Sequence, residues 1–149
     1  MKKFKLGLVA LAIMAFAGIA NAGGVGYIDY AKVIDNYDYA KQVTKEVDAK
    51  GLEMQQFLVD KEKEYKALDT PLKKQTFEEK TAAEFKAKEN AYVTLKNKRE
   101  QEVFTKIKEA AKAVMVEQNL DAIMDVRGVF VGGVDISDSV IAKLKGAKK

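Results

Sequence analysis

The side chains that carry most enzymatic chemistry are missing from this sequence. Its 149 residues include no histidine, no cysteine and no tryptophan. Ser–His and Cys–His nucleophile pairs therefore cannot form, and the common zinc sites have no ligands. Carboxylate, lysine and serine chemistry stays formally open, but the carboxylates are scattered and form no recognisable catalytic motif. Gly23-Gly24-Val25-Gly26 is glycine-rich yet lacks the lysine and following helix of a phosphate-binding loop, and reads as a flexible mature N-terminus. No enzyme activity, cofactor or metal is expected.

Positive charge is the next candidate. The chain holds 26 Lys+Arg against 22 Asp+Glu, with a pI near 9.0, a balance that points towards nucleic acid or anionic membrane. Much of the excess sits in the first segment. Lys2, Lys3 and Lys5 precede an apolar run from Leu6 to Ile19, and Ala20-Asn21-Ala22 has the A-x-A shape of a signal-peptidase site. The run is shorter than the ~20 residues a spanning helix needs, so residues 1–22 read as a cleaved signal peptide, with a retained anchor as the alternative. Without those three lysines the mature chain carries 23 basic against 22 acidic residues. Glu and Lys are mixed evenly along it, which argues against nucleic acid. Lys73, Lys74 and Lys80 form a local basic cluster, and ordinary solvated lysines are the competing reading.

These side chains must be positioned by a few elements. Val25–Tyr30 (VGYIDY) reads as a strand, with Asp29 capping a helical turn through Ala31, Lys32, Val33 and Ile34. From Asp38 to Asn119 the chain is charged and helix-forming. Val43, Val47, Met54, Leu58 and Tyr65 recur at intervals of 4, 7, 4 and 7, close to the pitch of a straight helix. Val103, Ile107, Ala110 and Val114 recur at 4, 3 and 4. Phe77, Phe85, Tyr92 and Leu95 mark the same side more loosely. The pattern predicts two long amphipathic helices broken near Leu68-Asp69-Thr70-Pro71. Thr70 as N-cap with Pro71 at the first helical position is one start, and Thr76 with Glu79 in capping-box spacing is another. Gly51, inside the first helix, is a predicted weak point.

The last part returns to short strands. Leu120–Val126 and Gly128–Gly133 read as the arms of a β-hairpin, and Asp135 as the N-cap of a final helix through Val140, Ile141 and Leu144, closed by Gly146. The expected fold class is α+β: a small β body with a long antiparallel helical hairpin arm inserted between the first strand and the C-terminal hairpin and helix. Residues 23–149 form one domain, with 23–37 and 119–149 as the body and 38–118 as the arm. Three short strands bury little core, and there is no disulfide to staple them, so self-association is expected. Val25, Tyr27, Ile28, Ile123, Met124, Val129, Phe130 and Val131 are the candidate oligomer core. A monomeric α+β core is the alternative.

These end segments resemble the Skp/OmpH family of periplasmic chaperones. Gly26-Tyr27-Ile28-Asp29 with Ala31-Lys32-Val33-Ile34 is similar to that family's first strand and turn. Leu120-Asp121-Ala122-Ile123-Met124-Asp125, Val129-Phe130-Val131 and Asp135-Ile136-Ser137 are similar to its closing elements, and a charged helical tract of about the family's length lies between. The resemblance implies a homotrimer in the periplasm whose arms enclose a cavity and hold unfolded outer-membrane proteins without ATP. It also raises contact with membrane or lipopolysaccharide, for which Lys73, Lys74 and Lys80 are the residues to test, although well-known members are strongly basic and this mature chain is nearly neutral. Holding a client takes many weak apolar contacts at about 25 cal/mol per Å². Met54, Phe57, Leu58, Tyr65, Phe77, Phe85 and Tyr92 are the candidate contact residues, with packing inside the arm as the other use for each. The alternative function is a structural coiled-coil adaptor of the envelope.

Overall fold

The computed structural model describes residues 23–146, so the signal peptide expected at 1–22 and the final Ala-Lys-Lys lie outside the described residues. β1 spans Gly24–Ile28, ending before the expected Tyr30. The chain turns at Asp29, whose carboxylate accepts the Lys32 N–H at 3.0 Å, so Tyr30 becomes the first residue of a short helix, α1 (Tyr30–Asp35).

Two long helices follow, α2 (Asp38–Lys66) and α3 (Pro71–Glu117). At 1.5 Å per residue they are about 44 and 70 Å long. The Thr70 start is the one used: its hydroxyl accepts the Lys73 N–H, and Pro71 opens the helix where its missing donor costs nothing. Thr76 lies inside α3 and donates back to the Leu72 carbonyl at 3.0 Å. α2 runs unbroken through Gly51. Asn119, at φ 52°, takes the left-handed conformation asparagine tolerates and turns the chain from α3 into β2 (Leu120–Asp125).

The expected C-terminal hairpin is not formed. Gly128–Gly133 is not a strand; the third strand is Val134–Asp135 (β3), and the sheet order is β2-β1-β3 with both outer strands parallel to β1. The Asp125 carboxylate explains the early stop of β2. It accepts the Arg127 backbone N–H at 2.9 Å and grips the guanidinium at 2.7 and 3.0 Å, folding Val126–Gly128 into a 3-10 turn. Gly132 and Gly133, at φ 82° and 89°, then turn the chain back across β1. A parallel crossover ordinarily needs about a dozen residues. The short link suffices here because β3 pairs only at Gly26↔Val134 and Tyr27↔Asp135.

The final helix, α4 (Ser137–Gly146), starts two residues after the expected cap. Asp135 stays in β3 and reaches forward, accepting from the Ser137 N–H at 2.9 Å and from its hydroxyl at 2.6 Å. The fully buried Ser137 Oγ in turn accepts the Asp29 N–H at 2.9 Å, so the ends of β1 and β3 are tied to α4 by one hydroxyl.

One core binds these pieces. Ile28 of β1, Val33 of α1 and Ile136, Val140, Ile141 and Leu144 from the C-terminal segment pack against the root of the arm. That root supplies Ala40 and Val43 from α2 and Val103, Ile107, Ala111 and Val114 from α3. The expected stripe is thus shifted at one position: Ala111 is buried and Ala110 packs at its edge. A Cβ at Gly26 would lie 2.7 Å from Leu120 Cδ1, so a larger residue there would force the Leu120 side chain to move.

Candidate functional site

Among the described residues two apolar surfaces lie open to solvent. The first is the outer arm. From Thr44 to Glu102 no residue is buried, although the segment carries Met54, Phe57, Leu58, Tyr65, Phe77, Phe85 and Tyr92. Leu58 is 46% exposed, and the other six are partly exposed. Two helices side by side can cover only one stripe of each other, so these side chains face both a neighbour and water.

Packing and exposure divide among them. The Tyr65 and Phe77 rings meet across the hairpin at 6.2 Å. Tyr92 lies over Gly51, where a Cβ would sit 3.8 Å from its ring. Leu58, Tyr65, Phe77 and Phe85 line an open apolar groove of about 490 Å³. Phe57 borders a second groove with Lys88 and Glu84, and Lys61 borders both. Lysine ammonium groups sit over several rings. Lys61 lies 5.6 Å from the Phe57 centroid and 5.4 Å from that of Phe77, Lys88 lies 5.1 Å from Phe57, and Lys74 lies 5.3 Å from Tyr65. Each such contact is worth about 0.5–1 kcal/mol at exposed positions, so the rings are shielded loosely and can be uncovered by a lysine rotamer change.

The arm holds its shape through short-range charge pairs. Lys50–Glu53, Lys61–Glu64, Lys66–Glu62 and Lys96–Glu100 are i,i+3 or i,i+4 pairs, each worth a few tenths of a kcal/mol. Near the root a cross-helix network does more. Tyr39 donates to Glu102 at 2.9 Å, and Arg99 joins Glu102 and Glu46, each at 2.9 Å. The Arg99 hydrogen bond, and next that of Tyr39, hold the Glu102 carboxyl below its ordinary range.

The basic cluster at the tip is largely engaged. Lys73 pairs with Asp69 at 2.9 Å, Lys80 approaches Glu84 at 3.9 Å, and Lys74 covers Tyr65. Leu72, 74% exposed, stands beside it.

The second open surface is the sheet face turned away from the helices. Strand alternation sends Gly26 and Ile28 to the core and Val25 and Tyr27 outward, with Met124 beside Tyr27 on β2. Val25, Met124 and Val134 are 41–49% exposed, while Phe130 and Val131, in the loop between Gly128 and Gly132, are almost wholly exposed. The eight candidate body residues therefore separate. Ile28 and, in part, Ile123 serve the chain's own core, while Val25, Tyr27, Met124, Phe130 and Val131 face out, with Val129 half-buried at the loop's start. Val134 was missed, because the strand was expected at Gly128–Gly133; paired with Gly26, it lies on the core side of the sheet at the edge strand and is 49% exposed there. Phe104 was also missed: it adjoins Val103 of the buried stripe yet is 47% exposed.

Among the described residues no group of His, Cys, Asp and Glu could hold a metal, and no helix is long and apolar enough to cross a membrane. No curated protein matches the chain in sequence. A solved structure from Caulobacter crescentus CB15, described as that of a candidate outer membrane chaperone (OmpH-like), is similar to it at 16% identity, covering 83% of this chain and 85% of that one with a TM-score of 0.41. The profile of the family described as outer membrane protein (OmpH-like) matches residues 24–144. The chain therefore belongs to the OmpH-like family, which is not a family of enzymes.

Proposed function

We propose that this chain is a periplasmic, ATP-independent holdase that binds unfolded outer-membrane proteins and keeps them from aggregating. The observation that carries the reading is the outer arm, where large apolar and aromatic side chains recur from Met54 to Tyr92 and none is buried. Family membership and the chaperone description of the Caulobacter protein support the same role. Residues 23–37 and 119–149 act as a body that sets arms of residues 38–118 around a client. Partly exposed side chains sum to useful affinity at about 25 cal/mol per Å², and Met54 adapts to varied partners. The proposed client contacts are Met54, Phe57, Leu58, Tyr65, Phe77, Phe85 and Tyr92.

The open sheet face supports self-association into a homotrimer through Val25, Tyr27, Met124, Phe130 and Val131, since an uncovered apolar patch on a small sheet marks an interface. Contact of the tips with membrane or lipopolysaccharide has weaker support. Lys73 and Lys80 already face carboxylates, which leaves Lys74 and the exposed Leu72 to make it.

The experiment is light scattering of a urea-unfolded outer-membrane barrel protein diluted into buffer with residues 23–149, without nucleotide. Suppressed scattering near one trimer per client is expected. Unchanged scattering from a folded oligomer would move the assignment to a structural adaptor of the envelope.

A further inference from the structure

A cleft of about 590 Å³ opens where α1 leaves the root of the arm, apart from the outer-arm grooves. Its floor is Ala40, Val43 and Val103, all buried, and its walls are Tyr30, Ile34 and Phe104. The Tyr30 and Phe104 rings stand 6.4 Å apart, tilted at 55°, a spacing at which aromatic rings attract each other. The volume lies within the ~300–1,000 Å³ typical of ligand sites, and a cavity of about 150 Å³ already holds a benzene ring.

One charged side chain lines this apolar cleft, Glu100. Its cation neighbour is Lys96, 3.9 Å away and partly exposed. Burial and, second, the Glu100 carboxylate raise the Tyr30 pKa, which places that negative charge beside the aromatic wall. The cleft is also braced. Arg99 and Glu102 project from the other face of α3, and with Tyr39 and Glu46 they fasten α3 to α2 behind the cleft. The site therefore does not depend on the arm bending to form.

We propose that this cleft is a polypeptide-binding site that takes an aromatic side chain from an extended segment with a lysine or arginine next to it. The ring packs against the Tyr30–Phe104 pair over Val43 and Val103, and the neighbouring cation pairs with Glu100 at the rim. Its natural occupant, a segment of an unfolded client, rests on the holdase reading. It adds to that reading a sequence preference and an anchor at the arm root.

Because the protein has no tryptophan, tryptophan fluorescence reports the ligand alone. The test titrates residues 23–149 into two capped tetrapeptides, Gly-Trp-Lys-Gly and Gly-Trp-Glu-Gly, and follows emission wavelength and anisotropy. Saturable binding with a blue shift is expected for the lysine peptide, with the glutamate peptide weaker by about threefold or more. Glu100→Gln should erase that difference. Phe104→Ala should weaken both peptides by about tenfold, and Gln101→Arg, an exposed lining position, should block the mouth without touching the core.

Equal binding of the two peptides, or wild-type binding by folded Phe104→Ala and Gln101→Arg, overturns the proposal. So does a change in oligomer mass in those variants with peptide binding intact, which would make the cleft a contact between copies. Scattering suppression measured on the same preparations separates the two readings. Its loss in the wild-type protein removes the holdase, while the titration alone decides the cleft.

Discussion

The root and the outer half of the arm are the same two helices, yet they end in opposite states. At the root α2 and α3 have neighbours on further sides, and Ala40, Val43, Val103, Ile107, Ala111 and Val114 are buried. From Lys45 to Lys96 each helix has only the other, and nothing is buried although the side chains are larger. Burial here follows from the number of packed layers, not from composition. A two-helix arm lets the chain keep methionine, leucine and phenylalanine near water on a rigid support, and the root supplies the stability that the outer half does not.

The largest expected effect tests the root. Ile107 is 3% exposed, so Ile107→Ala should cost about 2–5 kcal/mol by lost transfer energy and a residual cavity. Urea unfolding followed by circular dichroism, at one protein concentration for both proteins, measures it. A loss under about 1 kcal/mol would mean that the root is no better packed than the outer arm.

The reverse pattern is expected outside. Phe57→Ala and Phe85→Ala should each cost about 1 kcal/mol or less, while their combination removes most of the suppression of barrel-protein scattering. If the pair shifts the urea midpoint as far as Ile107→Ala does, those rings are packing residues and the comparison collapses. Gly51→Ala is expected to act in the opposite direction. An added Cβ would meet Tyr92 at an ordinary 3.8 Å and nothing closer, so the variant should gain about 1 kcal/mol from helix propensity alone. A loss would show that Tyr92 needs the glycine in order to pack.

This contrast also marks how far the sequence could be read. The break at Thr70-Pro71, the cap at Asp29 and the two long helices follow from local chemistry, which acts within four residues, and they were legible. The period of Val43, Val47, Met54, Leu58 and Tyr65 gave the correct face of α2, but periodicity cannot tell a stripe that is covered from one that is not. The sheet was misread for a related reason. Gly-Val-Phe-Val-Gly-Gly has strand-forming residues, and what prevents the hairpin is a side chain acting two residues along, Asp125 on Arg127, together with β1 offering its second edge to Val134 and Asp135. Competition between edges is a property of the whole sheet. The outward placement of Phe104 beside the buried Val103 depends in the same way on where α1 stops.

The smallest expected effect separates root from outer arm by pH. Arg99 and then Tyr39 hold the Glu102 carboxyl below its ordinary value of 4.5. The hydrogen bond to Glu102, and after it burial, raise the Tyr39 hydroxyl above 10.0. A lowered carboxyl contributes stability that is whole above 4.5 and lost as pH falls through the lowered value. A raised phenol contributes stability that is whole below 10.0 and lost as pH rises through the raised value. Between those limits the cross-helix clamp should be insensitive to pH. In the outer arm Glu62 and Asp69 are also lowered, by Lys66 and Lys73, but each pair lies within one helix or its leading turn. Their protonation frays a helix locally and separates nothing. Hydrogen exchange of the α2 and α3 amides near the root, measured from pH 6 down to pH 3 against Glu102→Gln, should therefore show a wild-type rise in root opening below about pH 4.5 that the variant lacks, while the outer-arm amides behave alike in both. Parallel curves at the root would show that the packed layers hold α2 to α3 without the clamp.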